Sequence, residues 1–329
     1  MFTIAVTRNI PEEGIRVLKK QKKFRVRVSP HDRPLRASEL RKFVKGADAI
    51  LSLLTDHIDG AVMDAAGKQL RIVANYAVGF DNIDLPAAKQ RGVVVTNTPG
   101  DLITEAVAEH TFALMIALAH RIVEADAYTR AGLYRGWAPM LFLGTLLKGK
   151  TIGIVGSGRI GAAVAERAAG GIGMHVLYHD VQRNSAFEKA YRARYEKTLS
   201  GLLKKADVVT LHVPLLPATH HLIGAKELRM MKRTAFLINT ARGPVVNEKA
   251  LVVALTKGKI GGAALDVFEC EPSIDCDPTD HYEFQRLPNV ILTPHIASAA
   301  YEARAEMSEI AAKNIINVLH KKNPLNPAK

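Results

Sequence analysis

The sequence predicts an α/β protein built from two doubly wound parallel-sheet domains. Three observations carry that prediction. Short apolar strands alternate with helical stretches along almost the whole chain. The alternation is interrupted once, at Asn97-Thr98-Pro99-Gly100, and restarts at Thr151. A length of 329 residues suits two domains of about 150 residues each.

In the first hundred residues the apolar runs place strands over Thr3–Thr7, Phe24–Val28, Ala49–Leu53, Ile72–Tyr76 and Val93–Val95. Helices are expected to begin near Pro11, Ala37, Asp59 and Leu85. After the Pro-Gly turn, Asp101 can cap one long helix running to about Arg130. From Phe112 to Ala119 that helix is apolar nearly all round, so burial between domains or against a second subunit is expected. The second alternating region gives strands over Thr151–Val155, His175–His179, Val208–His212, Ala235–Asn239, Gly262–Asp266 and Val290–Thr293. The tail from Ser298 to Leu319 reads as one helix, too short for a domain, that packs back on the first region. There is no internal repeat of fixed period.

Composition narrows the function classes. A 48% hydrophobic share and a mean hydropathy of +0.02 support a sizeable core and exclude disorder as the main state. Cys270 and Cys276 are too few for a disulfide framework and fit a reducing compartment. The opening MFTIAVTRNIPEEG lacks the basic and long apolar regions of a signal peptide. The longest apolar stretch, Thr111–Ala119, is about half a membrane span. A soluble, cytoplasmic protein with no membrane partner is the expectation. The formal net charge is +13, and +8 of it falls in residues 1–50. That excess could mark a nucleic-acid face. Its basic residues, however, alternate with apolar ones in Lys23-Phe24-Arg25-Val26-Arg27-Val28, as on the outward face of a strand. A solvated face is therefore preferred, and no nucleic-acid partner is expected.

The motif at Gly156-Ser157-Gly158-Arg159-Ile160-Gly161 is more specific than a lone GxGxxG. It follows a strand, opens an Ala-rich helix, and is followed nineteen positions later by Asp180 at the next strand's end. In such a turn Gly156 permits the tight bend and Gly158 admits a pyrophosphate to the backbone. Gly161 brings the helix close, and the amides of Arg159 and Ile160 meet the anion. Asp180 can accept from the adenosine ribose hydroxyls and repel a 2′-phosphate, which favours NAD over NADP. Arg183, three residues further on, works against that preference.

Three polar residues follow successive strands of this Rossmann-type region. Arg242 comes after Leu237-Ile238-Asn239-Thr240-Ala241, Glu271 after Asp266-Val267-Phe268-Glu269-Cys270, and His295 after Leu292-Thr293-Pro294. Ligands bind beyond the carboxyl ends of strands in open α/β sheets, so a fixed cation, a carboxylate and an imidazole are expected to converge there.

The segments NYAVGFDNID (75–84), GSGRIG, NTARGPVVNE, ALDVFECEP and LTPHIAS together resemble the D-isomer-specific 2-hydroxyacid dehydrogenases. The likeness covers nearly the whole chain and runs towards the glyoxylate/hydroxypyruvate reductase branch. It implies a cofactor domain, residues 100–295, inserted into a discontinuous flavodoxin-like substrate domain, residues 1–99 and 296–329. It also implies an NAD cofactor, a small 2-oxo or 2-hydroxy acid substrate, and a homodimer. By resemblance, His295 is the acid/base and also borders the cofactor, Glu271 is its carboxylate partner and Arg242 the substrate-binding cation. Asp266 contacts the nicotinamide end, Val213 and Pro214 line the adenine side, and Thr240 and Ala241 border the cofactor. The amides of Val78 and Gly79 hold the substrate carboxylate, with Leu53 and Trp137 shaping a small pocket, Trp137 from either subunit.

Alternatives within the fold are formate or phosphoglycerate dehydrogenase and an NAD-sensing co-repressor. Formate dehydrogenases pair their His with an amide where this chain has Glu271, and phosphite-oxidising relatives have a lysine at the position of Val78. The stretch between Glu271 and His295 is longer than is usual in the family and holds Cys276, Asp277, Asp280 and His281. Their spacing fits no zinc pattern, so an exposed loop and no metal are expected.

Overall fold

The computed structural model describes residues 1–271, 284 and 286–328. They form two compact units. One combines Met1–Ile103 with Glu271 and the C-terminal segment from Ala299; the other runs from Thr104 to Cys270 and takes in the segment ending at Ser298.

The first unit is built on strands β1 (Phe2–Val6), β2 (Phe24–Val28), β3 (Ala49–Leu53), β4 (Ile72–Tyr76) and β5 (Val94–Thr96). All pair in parallel in the order β2-β1-β3-β4-β5, a flavodoxin-like doubly wound sheet. Helices α1 (Glu12–Lys19), α2 (Ala37–Val44), α3 (Gly60–Ala66) and α4 (Leu85–Gln90) connect them. Asp59 and Asp84 start α3 and α4 by accepting from the amides of Val62 (2.8 Å) and Ala87 (2.9 Å). The C-terminal helix Tyr301–Leu319 returns onto this sheet unit, as the sequence suggested. Its Ser308 hydroxyl accepts from the Gly14 amide (2.9 Å) and donates to the Pro11 carbonyl (2.7 Å). Gly14 is required there, because a Cβ would overlap the Ser308 backbone.

The basic edge strand β2 partly follows its expected alternation. Phe24 is buried and Arg25 exposed. Arg27 instead folds back on α2, donating to the carbonyls of Phe43 (2.5 Å) and Lys45 (3.2 Å) over the Phe43 ring. It satisfies the end of that helix.

The second unit carries β6 (Thr151–Val155), β7 (His175–His179), β8 (Arg194–Tyr195), β9 (Val208–Leu211), β10 (Phe236–Asn239), β11 (Gly262–Leu265) and β12 (Val290–Leu292). The order β8-β7-β6-β9-β10-β11-β12, all parallel, is that of a dinucleotide-binding sheet with one added strand. The strand order reverses between β6 and β9, so the crevice beyond their carboxyl ends is the switch point. The two-residue β8 is too short to give a sequence signal.

Two expectations need correction. The long helix is two helices, α5 (Asp101–Ala119) and α6 (Ile122–Arg130), separated by Arg121 in the left-handed region (φ 56°). The Ala119 carbonyl accepts from the Thr145 amide (2.8 Å), and Gly144 lies so close that a Cβ would overlap that carbonyl. The returning chain thus takes the bond another helical turn would have used. Second, the apolar stretch of α5 is covered mainly by its own unit. Phe112, Leu114, Met115, Leu118 and Ala119 share one core with Ile152, Ile154, Val164, Ile238 and Ala264. Among the described residues α5 is the one helix long and apolar enough to cross a membrane, and 56% of that window is buried in the fold.

Candidate active site

The glycine turn sits at the switch point. Strand β6 ends at Val155, and α7 (Arg159–Glu166) begins after Gly158. Gly156 is held at φ 98°, and a Cβ there would meet the His212 carbonyl at 2.5 Å and the Val213 side chain at 3.1 Å. No other residue type satisfies both limits. A Cβ at Gly161 would overlap the Gly156 carbonyl, whereas one at Gly158 meets open space. The backbone is therefore packed tightly at Gly156 and Gly161 and open at Gly158, the residue that caps the N-terminus of α7. That is a cradle fitting a pyrophosphate. Exposed Arg159 and half-buried Ile160 open the helix, and Val213 and Pro214 follow β9 across the crevice.

Asp180 stands just beyond β7. Its Oδ2 accepts from both the amide and the hydroxyl of Ser157 (each 2.7 Å), and its Oδ1 from the Val181 amide (2.7 Å). Burial works to raise this carboxyl, but those hydrogen bonds outweigh it and hold it below the usual carboxylate range. The sequence alone assigns Ser157 no role. Its hydroxyl instead orients the acidic residue.

Past β10, the Asn239 side chain builds the turn that presents Arg242. It accepts from the Ala241 amide (3.0 Å) and donates to the Arg242 carbonyl (2.9 Å), while Thr240 meets Thr111 of α5 through their hydroxyls (3.0 Å). Half-buried Arg242 donates through Nη1 to the Ala241 carbonyl (2.7 Å). A Cβ at the next residue, Gly243, would overlap the backbone of Phe268, so the turn lies directly on the segment leading to Glu269. Glu269 is itself anchored by His221 and accepts from the Glu248 amide (3.3 Å).

Asp266 follows β11 and is fully buried. Its Oδ1 accepts from the Thr293 hydroxyl (2.6 Å) and the Ile296 amide (2.9 Å), and its Oδ2 from the Ala297 amide (2.7 Å). His110 of α5 lies 3.4 Å from Oδ1 and 3.2 Å from the Thr293 hydroxyl. One carboxylate thus fastens the loop on both sides of His295. That histidine is half-buried and held in the left-handed region (φ 54°), a conformation that fixes its direction at some strain. Burial works to raise Asp266, but its hydrogen-bond partners hold it below the usual range. Because the folded value lies below the unfolded one, this anchoring is present at neutral pH. It is lost only as pH falls through the folded value. Asp266→Asn should turn an N–H group towards an amide donor and loosen the loop. We expect kcat/KM to fall by about tenfold or more, since a buried hydrogen bond to a charged group contributes about 1.5–3 kcal/mol. Steady-state kinetics check this, and unchanged kcat/KM would remove Asp266 as the anchor of His295.

In the first unit, the loops after β3 and β4 are joined by two buried asparagines that sequence reading did not single out. Asn82 donates to the carbonyls of Leu53 (3.0 Å) and Asp56 (2.9 Å), and Asn75 donates to the Gly79 carbonyl (3.0 Å). They also bond each other (2.9 Å). Asn97 donates to the Val78 carbonyl (2.7 Å). Both carbonyls of the Val78-Gly79 pair are therefore engaged. Among the described residues neither amide donates to a protein partner. Two successive amides with no partner among the described residues are suited to accept an anion.

Other predicted residues are placed less decisively. Glu271 groups with the first unit and His295 with the second. Trp137 lies on an exposed arm and is 83% exposed. Cys270, expected to sit reduced, is half-buried against the core and disulfide-bonded, which corrects that expectation. Cys276, Asp277, Asp280 and His281 lie outside the described residues.

Residues 112–297, which contain the glycine turn, Arg242, Asp266 and His295, match the D-isomer specific 2-hydroxyacid dehydrogenase, NAD binding domain. The chain belongs to that family. As a D-2-hydroxyacid dehydrogenase it is an NAD(H)-linked oxidoreductase that interconverts 2-oxo and 2-hydroxy acids. It is 50% identical over 314 residues to a glyoxylate reductase of Korarchaeum cryptofilum, covering 95% of this chain and 91% of the relative. The TT0316 protein of Thermus thermophilus has the same fold over the whole of both chains, with a TM-score of 0.90 and 43% identity. The NADPH-dependent glyoxylate/hydroxypyruvate reductase of Sinorhizobium meliloti, solved with NADP and malonate, matches at a TM-score of 0.83 and 31% identity. That match covers 99% of this chain and 96% of the other.

Proposed function

We propose that the dehydrogenase uses NADH to reduce a small 2-oxo acid, of the glyoxylate or hydroxypyruvate type, to the D-2-hydroxy acid. The observation that carries this reading is the pair Arg242 and His295. Each follows a strand of the sheet whose switch point bears the glycine turn, and each is fixed by a dedicated buried side chain, Asn239 or Asp266. In this reading residues 100–295 are the cofactor domain, and residues 1–99 with 296–329 the substrate domain.

The bound nicotinamide supplies a hydride at its C4. Arg242 grips the carboxylate and carbonyl oxygens of the substrate with its planar fork. The Val78 and Gly79 amides take the carboxylate, beside Leu53. Protonated His295 gives its proton to the carbonyl oxygen as that oxygen gains charge, and Glu271 is its carboxylate partner. Thr240 and Ala241 border the cofactor, with Val213 and Pro214 on the adenine side, and Asp266 positions His295 at the nicotinamide end. Asp180 receives the ribose hydroxyls and disfavours a 2′-phosphate. The names of the glyoxylate reductases among its relatives support the substrate class.

The test is a panel of glyoxylate, hydroxypyruvate, pyruvate and branched 2-oxo acids assayed with NADH and with NADPH. The short acids with NADH are expected to give the highest kcat/KM. A preference for long branched acids, or for NADPH, would contradict the reading.

A homodimer is part of the same proposal. The arm after α6 exposes Trp137 (83%), Met140 (75%) and Leu146 (69%), with Leu133, Tyr134 and Leu143 half or more exposed. Such a run of uncovered apolar side chains supports a second copy as its cover. Sedimentation equilibrium is expected to give the mass of two chains; a single-chain mass would refute the dimer. We also place the enzyme in the cytoplasm; the packing of apolar α5 into the sheet core supports a chain that does not span a membrane, and the disulfide at Cys270 is the observation that weighs against a reducing compartment.

A further inference from the structure

The adenosine end of the cofactor crevice contains a cation that is not free. Arg183, three residues past Asp180, is 67% exposed at its side chain and is a cation of the type that pairs with a 2′-phosphate at this point of a dinucleotide fold. Its guanidinium makes a two-point pair with Glu188 of α8 (Ser185–Tyr191), Nε to Oε1 at 2.7 Å and Nη2 to Oε2 at 2.8 Å. Glu188 is held in turn. The Tyr178 hydroxyl donates to its Oε1 (2.8 Å), and the Asn184 amide donates to the Tyr178 oxygen (2.8 Å). Tyr178 is buried at the centre of an aromatic cluster with Phe187 and Tyr195. The Tyr195 hydroxyl reaches the Asp180 carbonyl (3.3 Å). The Arg183 pair draws the Glu188 carboxyl down to about 2, with the Tyr178 hydroxyl assisting, so the carboxylate is charged at every working pH.

We propose that Glu188 is a specificity-determining residue: by pairing side-on with Nε and Nη2 of Arg183 it holds and neutralises the cation that NADPH would need. This rests on the reading above, in which Asp180 receives the ribose of NADH. Discrimination then has two parts. Asp180, oriented by the Ser157 amide and hydroxyl, repels a 2′-phosphate, and Glu188 removes its natural counter-ion. An NADPH-dependent relative at 31% identity keeps the same fold, so the choice of cofactor is made by side chains and not by the fold itself.

The experiment is calorimetric titration of 2′,5′-ADP and 5′-AMP into the parent, Asp180→Ser, Asp180→Ser/Glu188→Gln, and that double variant with Arg183→Ala added. Asp180→Ser alone should weaken the preference for 5′-AMP. Adding Glu188→Gln should tighten 2′,5′-ADP by about fivefold, the upper end for freeing one exposed ion-pair partner, with 5′-AMP changing by less than about twofold. Arg183→Ala should then erase the gain. KM for NADPH is expected to follow the same order, with little change in kcat. A double variant no tighter for 2′,5′-ADP than Asp180→Ser, or a gain that survives Arg183→Ala, would overturn the proposal. Should Glu188→Gln lower the thermal midpoint, Glu188→Ala repeats the test, and absence of tightening in both overturns it. A parent protein that binds 2′,5′-ADP better than 5′-AMP would instead show that the NADH reading itself is wrong.

Discussion

Replacing His295 by alanine is expected to lower kcat by about a hundredfold or more in both directions, the usual contribution of a positioned general acid or base. The loop that carries it is fastened by Asp266 through the Thr293 hydroxyl and the Ile296 and Ala297 amides. Those bonds involve backbone or neighbouring side chains, so the substitution leaves them intact. Asp180 and the glycine turn are likewise untouched, and NADH affinity should stay within about threefold of the parent value if the imidazole acts on substrate alone. Turnover and fluorescence titration of NADH separate the two effects. Near-parental turnover would remove His295 from the chemistry, and lost NADH binding would reassign it to the cofactor.

Arg242→Lys should lower kcat/KM by well over tenfold, about 1.4 kcal/mol or more of transition-state stabilisation. Lysine keeps the charge but presents a point donor where the guanidinium presents a fork. The Asn239 bonds to the Ala241 amide and the Arg242 carbonyl are backbone contacts and survive the change. A loss of activity therefore reports the fork and not a collapsed turn. The loss should fall on short 2-oxo acids generally, because the carboxylate and carbonyl they share are what the fork binds. Kinetics within about twofold of the parent would exclude Arg242 from substrate binding.

The sheets were legible because parallel strands buried on both faces read as unbroken apolar runs. The two strands flanking the switch point, β6 and β9, start at the residues that periodicity indicated. The glycine turn was legible because each glycine answers a different local demand, of conformation at Gly156 and of close packing at Gly161. What escaped notice depends on partners distant in sequence. The break after α5 is made by Thr145 and Gly144, and nothing within residues 101–130 announces it. Asp266 acts on amides about thirty residues downstream. Asn82 looks like a loop polar residue and Asn75 like an ordinary strand residue until both are found buried and bonded to each other. The apolar face of α5 was correctly read as buried but assigned the wrong cover, since composition states that a face is apolar and not what lies against it.

Reduction of hydroxypyruvate with NADH, followed by assignment of the product's configuration, tests the central claim most directly. That claim is delivery of a hydride to C2 of a small 2-oxo acid with a fixed hand. NADH consumption matched one for one by D-glycerate is the predicted result. No NADH consumption with hydroxypyruvate or glyoxylate, or formation of L-glycerate, would contradict it.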